Sequence, residues 1–332
     1  MSVTDSWVAH ASGWAAGLGD AVAAPRLSIL IFHRVLPQPD PLFPDEMHAR
    51  RFDRLMAMVK RAFSVVTLGQ AVALHASGGL PRRALAITFD DGYADNAEVA
   101  LPILQRHGLP ATFFVATGFL DGGRMFNDTV IECLRAAPVQ RIDLSEWGLG
   151  LRELCTPASR RQAIDALLPK VKYLSLADRE HFLRRLLLLA AEPVLPANLM
   201  MRSAQVVQLH RAGMEIGGHT VNHPILHVLA DADAETEIMR GRACLQSLID
   251  ASVDVFAYPN GKPGRDYDSR HVEMVRRLGF KAAVSTSPGV ATLGAHHHEL
   301  PRFSPWDRQP ARWLARLLQQ RLMGGAPGFA EA

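Results

Sequence analysis

Two short stretches of this 332-residue chain carry side chains whose types and spacing could do hydrolytic chemistry. The first is Ala86-Ile87-Thr88-Phe89-Asp90-Asp91-Gly92-Tyr93, an apolar run that ends on two adjacent carboxylates and a glycine. Neighbouring residues of a regular strand point to opposite faces, so both acids can reach one site only if the chain turns there. Gly92 is placed to allow that turn. Taken alone, the pair reads equally well as a turn and a helix cap. The second stretch is Gly217-Gly218-His219-Thr220-Val221-Asn222-His223-Pro224. Its histidines would lie about 13 Å apart in an extended chain. One helical turn would bring them onto one face, with the two glycines letting the backbone leave a strand sharply. By itself this spacing also fits chance or core packing. Together the stretches offer two imidazoles and a carboxylate, a ligand set that leaves coordination positions open on a divalent ion. Such an ion lowers the pKa of a coordinated water towards about 7, and the second carboxylate is then free to act as a base.

Thr88-Phe89-Asp90-Asp91-Gly92 and His219-Thr220-x-x-His223 resemble the first two motifs of the polysaccharide deacetylases, the NodB-homology group also classed as carbohydrate esterase family 4. Phe256-Ala257-Tyr258-Pro259-Asn260-Gly261 resembles the third, a loop lining the substrate cleft. The resemblance spans roughly residues 27–118 and 200–305. It implies that Asp90 is the general base and that Asp91, His219 and His223 hold a divalent metal ion, with zinc expected. It also implies that the backbone N–H of Tyr258 helps stabilise an oxyanion, and that Thr220 supports the histidines. The implied substrate is an N-acetylated sugar polymer or glycan. Many members carry a late Leu-x-His motif as general acid. This chain has no clean copy, although His296-His297-His298 falls in that region. An early histidine, His33, follows the apolar run Leu27–Phe32. That placement resembles the circularly rearranged branch that includes poly-N-acetylglucosamine deacetylases, and there an early histidine protonates the leaving amine; a core-packing or turn role for His33 is the alternative. Arg302 stands where an arginine orients the base in such proteins, with a surface role as the alternative. Asn127 and Asp128 are further candidates for the cleft, but their spacing assigns them nothing.

Short apolar runs alternate with helical patterns, the rhythm of βα units around a parallel sheet. Strands are predicted at Leu27–Phe32, Ser64–Leu68, Leu85–Phe89, Ala111–Ala116, Met214–Gly217, Val253–Tyr258, Ala282–Thr286 and Leu300–Phe303. Helices are predicted near Ala49–Arg61, Asp95–His107, Ser203–Ala212, Asp233–Ile249 and Ser269–Leu278. The expected fold is a distorted (β/α) barrel of seven or eight strands over residues 27–305, with its site at the C-terminal ends of the strands. Residues of about 121–200 break the rhythm and read as a strand-free helical insertion with an apolar helix at Asp178–Ala191. It would serve as a lid, a partner surface or a satellite packed outside the barrel. Residues 1–26 read as an extension whose Trp7 and Trp14 pack on the domain, with a weak amphipathic helix as the alternative, and 306–332 as a helix and tail.

A net charge of +3 without a basic block gives no nucleic-acid surface. No apolar run is long enough to span a bilayer. The N-terminus lacks a charged region ahead of an apolar core, so no signal peptide is read and a cytoplasmic setting is expected, free or beside membrane-bound glycan-synthesis machinery. Three cysteines without a CxxC pair fit a reduced compartment. Two rival functions share these features. One is an O-acetyl esterase or another amide hydrolase on the same scaffold, and the other is a non-catalytic glycan-binding protein. The intact Asp90, Asp91, His219 and His223 set argues against the second, since a binder needs no base.

Overall fold

The computed structural model describes residues 26–292, 296–304 and 310–323. The N-terminal extension with its two tryptophans and the chain beyond 323 lie outside the described residues. Seven strands run parallel in chain order: β1 (Arg26–Phe32), β3 (Ala84–Phe89), β4 (Thr112–Val115), β7 (Glu215–Gly218), β8 (Val255–Ala257), β9 (Ala282–Pro288) and β11 (Leu300–Arg302). The chain just past β11 returns to β1. Phe303 N–H donates to Ile29 O at 2.7 Å, and Ile31 N–H donates to Phe303 O at 3.1 Å. The sheet therefore closes into the expected barrel. Two short strands extend it: β2 (Ser64–Val65) lies beside β3, and β10 (Ala291–Thr292) lies antiparallel to the start of β1.

The barrel strands alternate inward- and outward-facing residues. Leu27 and Ile29, Ala84 and Ala86, Val255 and Ala257, and Ala282 and Val284 meet in the interior. The intervening Leu30, Phe32, Leu85, Ile87, Phe89 and Phe256 face outward under the helices. Phe89 stacks on Phe113 at 4.7 Å and lies 5.3 Å from Phe32, and truncating such a buried phenylalanine costs about 3–5 kcal/mol. Helix α1 (Ala49–Ala62) covers this outer layer, while α2 (Leu68–Ala76) plugs the N-terminal mouth with Leu68, Ala71 and Val72. The run predicted as a strand over Ser64–Leu68 ends at Val65, because Thr67 caps α2 in a reciprocal pair with Gln70. The helix predicted over Asp95–His107 is a π turn, Asn96–Ala100, followed by α3 (Leu101–His107). Pro102 lacks the N–H that a regular helix would use there.

Between β4 and β7 the chain adds α4 (Phe126–Ala136), β5 (Arg141–Asp143), β6 (Leu151–Glu153), α5 (Pro157–Lys172) and α6 (Leu176–Leu189). These elements share a core of their own, including Val130, Leu134, Ile164, Leu167, Phe182 and Leu186. The segment was expected to be free of strands; β5 and β6 form an antiparallel hairpin. Three residues per strand, with only Ile142 buried in β5, leave too little alternation to read from sequence. The barrel resumes with α7 (Ser203–Arg211), α8 (Asp231–Ile249) and α9 (Ser269–Arg277), and α10 (Pro310–Met323) packs Trp313, Leu314 and Leu317 into the outer layer. Among the described residues no helix is long and apolar enough to cross a membrane.

Candidate metal and catalytic site

Asp90 continues the inward series Ala84, Ala86, Thr88 at the C-terminal end of β3. The chain then turns at Asp91 itself (φ 76°) and Gly92 (φ 89°), one residue earlier than the glycine alone implies. A left-handed aspartate costs about 1–2 kcal/mol, and here it brings two consecutive carboxylates to one cleft. Thr220 (φ 65°), His223 (φ 50°) and Asn260 (φ 60°) share this conformation, so strain gathers around the cleft.

His219 and His223 do meet, with ring centroids 4.7 Å apart, but no helical turn brings them together. The left-handed residues Thr220 and His223 fold the loop back instead. Thr220 Oγ1 accepts the His223 N–H at 3.1 Å, and Glu237 of α8 accepts the N–H groups of Val221 and Asn222 at 3.0 and 2.8 Å. Gly241 lets α8 approach, since a β-carbon there would lie 2.7 Å from Thr220 O. Gly217 and Gly218 stay within β7. Gly217 is needed for close packing, because a β-carbon would meet the Phe114 ring at 2.4 Å.

His219 Nδ1 lies 2.7 Å from Ala257 O and can only donate there, which turns Nε2 towards Asp91, where a bound ion would take its lone pair. That Nε2 is 3.3 Å from Asp91 Oδ1, and His223 Nε2 is 3.4 Å from the same oxygen. One ligand atom from each of these three buried residues lies within 4.8 Å of the others. Burial favours neutral Asp91, but the hydrogen bond from His219 and the nearby imidazoles outweigh it and hold the carboxyl far below its usual range. Burial also drives the His223 pKa down to about 3, so its ring is neutral and able to ligate. Two imidazoles and one carboxylate with an open side fit a divalent transition metal.

Asp90 faces a different partner. Arg302 clamps it through two hydrogen bonds of 2.7 Å each, and the Arg302 Nε donates to Ser285 O at 2.7 Å. Both side chains are buried. Burial raises the Asp90 pKa, while the guanidinium charge and its hydrogen bonds lower it by more, so Asp90 stays ionised.

His33 follows β1 and is exposed at the rim. It lines the same cleft, of about 470 Å³, as Asp90, Asp91, His219 and His223. The residues that place it were not legible in the sequence. Asn96, in the π turn, donates from Nδ2 to His33 O at 2.9 Å, and Asp95 accepts from Val35 N at 2.9 Å and Arg34 Nε at 2.8 Å. The triple histidine lies at the opposite mouth. His297 O accepts from Ala283 at the start of β9, and His297 Nε2 sits 3.3 Å from His75 Nδ1 of the plugging helix.

The role expected of Tyr258 requires correction. Its backbone N–H donates to Val284 O at 3.3 Å, extending the β8–β9 ladder, and its phenol donates to His298 O at 2.9 Å. That N–H cannot also serve the cleft. The chain leaves the ladder at Pro259, and Asn260, whose carbonyl accepts from Thr286 Oγ1 at 2.8 Å, is the motif residue that lines the cleft. Asn127 lines it as well. Asp128 borders an adjoining cavity, where burial, assisted by the charge of Asp91 and opposed by Arg34, raises its pKa to about 7.

A closed parallel barrel with a buried Asp–His–His set at its C-terminal mouth defines a class in which strand ends carry the chemistry. The sequence pattern of the polysaccharide deacetylases matches residues 77–140 and 182–283, half of the chain, and the chain belongs to that family. The unmatched gap holds the β5–β6 hairpin, α5 and the start of α6, and neither His33 nor Arg302 falls within the match. A curated relative, the putative polysaccharide deacetylase YxkH of Bacillus subtilis, is 18% identical over 66% of this chain. The chain spans half the length of that relative. Among solved structures, the Streptococcus pyogenes deacetylase PplD in complex with acetate superposes with a TM-score of 0.59 at 20% identity, covering 90% of this chain and 99% of that one. IcaB from Ammonifex degensii gives 0.55 at 19% identity, covering 90% and 98%. At these identities the two structures speak for the fold.

Proposed function

We propose that the protein is a metal-dependent hydrolase that removes N-acetyl groups from an N-acetylated sugar polymer or glycan. The observation that carries this reading is the division of labour between two adjacent carboxylates. Asp91 belongs to the histidine cluster, and Asp90, beside it, is held ionised by Arg302. Asp91, His219 and His223 would hold the ion, with zinc the natural choice for this donor set. Bound there, a divalent ion would polarise both the attacking water and the acetamide carbonyl.

Asp90 takes the proton from the water, and the Arg302 clamp fixes which way its oxygens point. A carboxylate held low is a weak base, but it is always in the basic form near neutral pH. The Asn260 N–H is the backbone donor proposed to face the developing oxyanion. His33, on the far side of the cleft, protonates the departing amine. An amide nitrogen leaves poorly without that proton, whereas an ester oxygen needs it less.

Acetate release from N-acetylated and O-acetylated oligosaccharides tests this reading. Release from the N-acetylated set is expected, falling more than about a hundredfold in Asp90→Asn while metal content is retained. Loss of less than about tenfold, under roughly 1.4 kcal/mol of barrier, would remove Asp90 as the base. Acetate from the O-acetylated set alone would make the protein an esterase.

A further inference from the structure

Past His33, Asp91 and Asn127 the cleft opens into a second cavity of about 420 Å³ between β1 and α4. The reaction above makes no use of it. Its hydrogen bonds run one way. Asn127 Nδ2 donates to Tyr93 Oη at 3.4 Å, and Tyr93 Oη donates to Asp128 Oδ1 at 3.3 Å. The sequence of donors ends there, leaving Asp128 Oδ2 and Asn127 Oδ1 buried without a partner. Asp128 is 4% exposed and forms part of the cavity wall. Both unpartnered atoms are acceptors, and a buried acceptor left without a donor is destabilising.

The occupant that fits must donate hydrogen bonds and bring positive charge. Six carboxylates line this cavity against three guanidinium groups. Arg34 is turned to Asp95, outside the lining, at 2.8 Å, and Arg135 neutralises only two of the six, Asp40 at 2.6 Å and Glu132 at 3.1 Å. In the proposed reaction, cleaving the acetyl group leaves an amine that takes up a proton, so the product carries such a donor cation. The two cavities share three residues, so one sugar ring can sit at Asp90 while its neighbour in the polymer reaches Asp128. We infer that this cavity is a second saccharide subsite, in which Asp128 and Asn127 receive an already deacetylated, ammonium-bearing sugar next to the residue being hydrolysed. The inference rests on the deacetylase reading and gives it a direction: the enzyme prefers substrates that it has already begun to deacetylate.

The test is calorimetric titration of the full chain with a glucosamine oligosaccharide, which has no acetyl group and so binds without turnover. Wild type is expected to bind it, more weakly as salt rises. Asp128→Asn keeps the Tyr93 hydrogen bond and removes the charge, and should weaken binding at least about tenfold, the worth of one charge-assisted hydrogen bond. Glu46→Gln, at the exposed mouth of the cavity, should weaken it less, and thermal melting of both variants checks the fold. On a singly acetylated glucosamine oligosaccharide, wild-type kcat/KM should exceed that on the fully acetylated one, and Asp128→Asn should erase the preference. Equal binding by wild type and Asp128→Asn, or none by wild type, overturns the subsite even where acetate is released. Asp128-dependent binding by a protein that releases no acetate leaves the subsite standing and removes the deacetylase reading.

Discussion

The two walls of the cleft are built differently. On the barrel wall, Asp90 receives both of its bonds from Arg302, Asp91 Oδ1 meets two imidazoles, and His219 is fixed by Ala257 O. On the helical wall, α4 brings Asp128 and Asn127 to the cavity with acceptors to spare. The first wall is preorganised for a reaction at a fixed point. The second holds unmet hydrogen-bonding capacity, which a ligand can satisfy. Stability has been spent on that side, as is common where a site must bind.

Three experiments press on this contrast. The largest effect is expected at the rim between the walls. His33→Ala should lower kcat on an acetamide by about 10²–10⁴-fold, with a smaller loss on an acetate ester. A variant with His296, His297 and His298 all changed to alanine should stay near wild type, because that cluster lies at the N-terminal mouth. Collapse of the triple variant with His33→Ala unharmed would move the acid to the other end of the barrel.

Next comes the barrel wall. Arg302→Met strands a buried carboxylate, which should cost about 3–5 kcal/mol in denaturant unfolding at neutral pH. The sign follows from the depressed Asp90 pKa. The clamp stabilises the fold above the pKa that Asp90 has in the unfolded chain, and its contribution fades as pH falls through the lower folded value. Without Arg302 the Asp90 pKa rises, so the acidic limb of kcat/KM should move to higher pH. An unmoved limb would mean that the clamp does not tune the base.

The smallest effect is on the helical wall and has the opposite sign. Asp128 ionises near 3.8 when unfolded and at about 7 when folded. Between those values the unfolded chain binds fewer protons, so wild-type stability should fall as pH rises from about 4 to 7. Asp128→Asn removes that loss and should be more stable than wild type at pH 8, by up to roughly 2–4 kcal/mol. A variant less stable at pH 8 would show that Asp128 is a structural group rather than an under-compensated one.

How much was legible in the sequence follows the same division. Strands β1, β3 and β4 announce themselves as buried, mostly apolar runs, and the polar residues after β3 and β7 meet in one cleft. The loop geometry was not legible. Left-handed Thr220 and His223, the turn at Asp91, and the ladder bond that occupies Tyr258 depend on contacts with α8 and β9, which are distant in sequence. Nor could Asp95 and Asn96 be found, because their work is to hold the backbone around His33 more than 60 residues earlier. The insertion offered least, since its hairpin is too short to pattern and Asp128 matters through a tyrosine 35 residues away.

The central claim is that Asp91, His219 and His223 hold one catalytic divalent ion. Its most direct test is zinc titration of chelator-treated protein, following acetate release from an N-acetylated oligosaccharide and zinc bound per chain. The account predicts no release without metal, recovery that saturates at about one zinc per chain, and neither binding nor recovery in His219→Ala. Full acetate release from protein shown to be metal-free would contradict it.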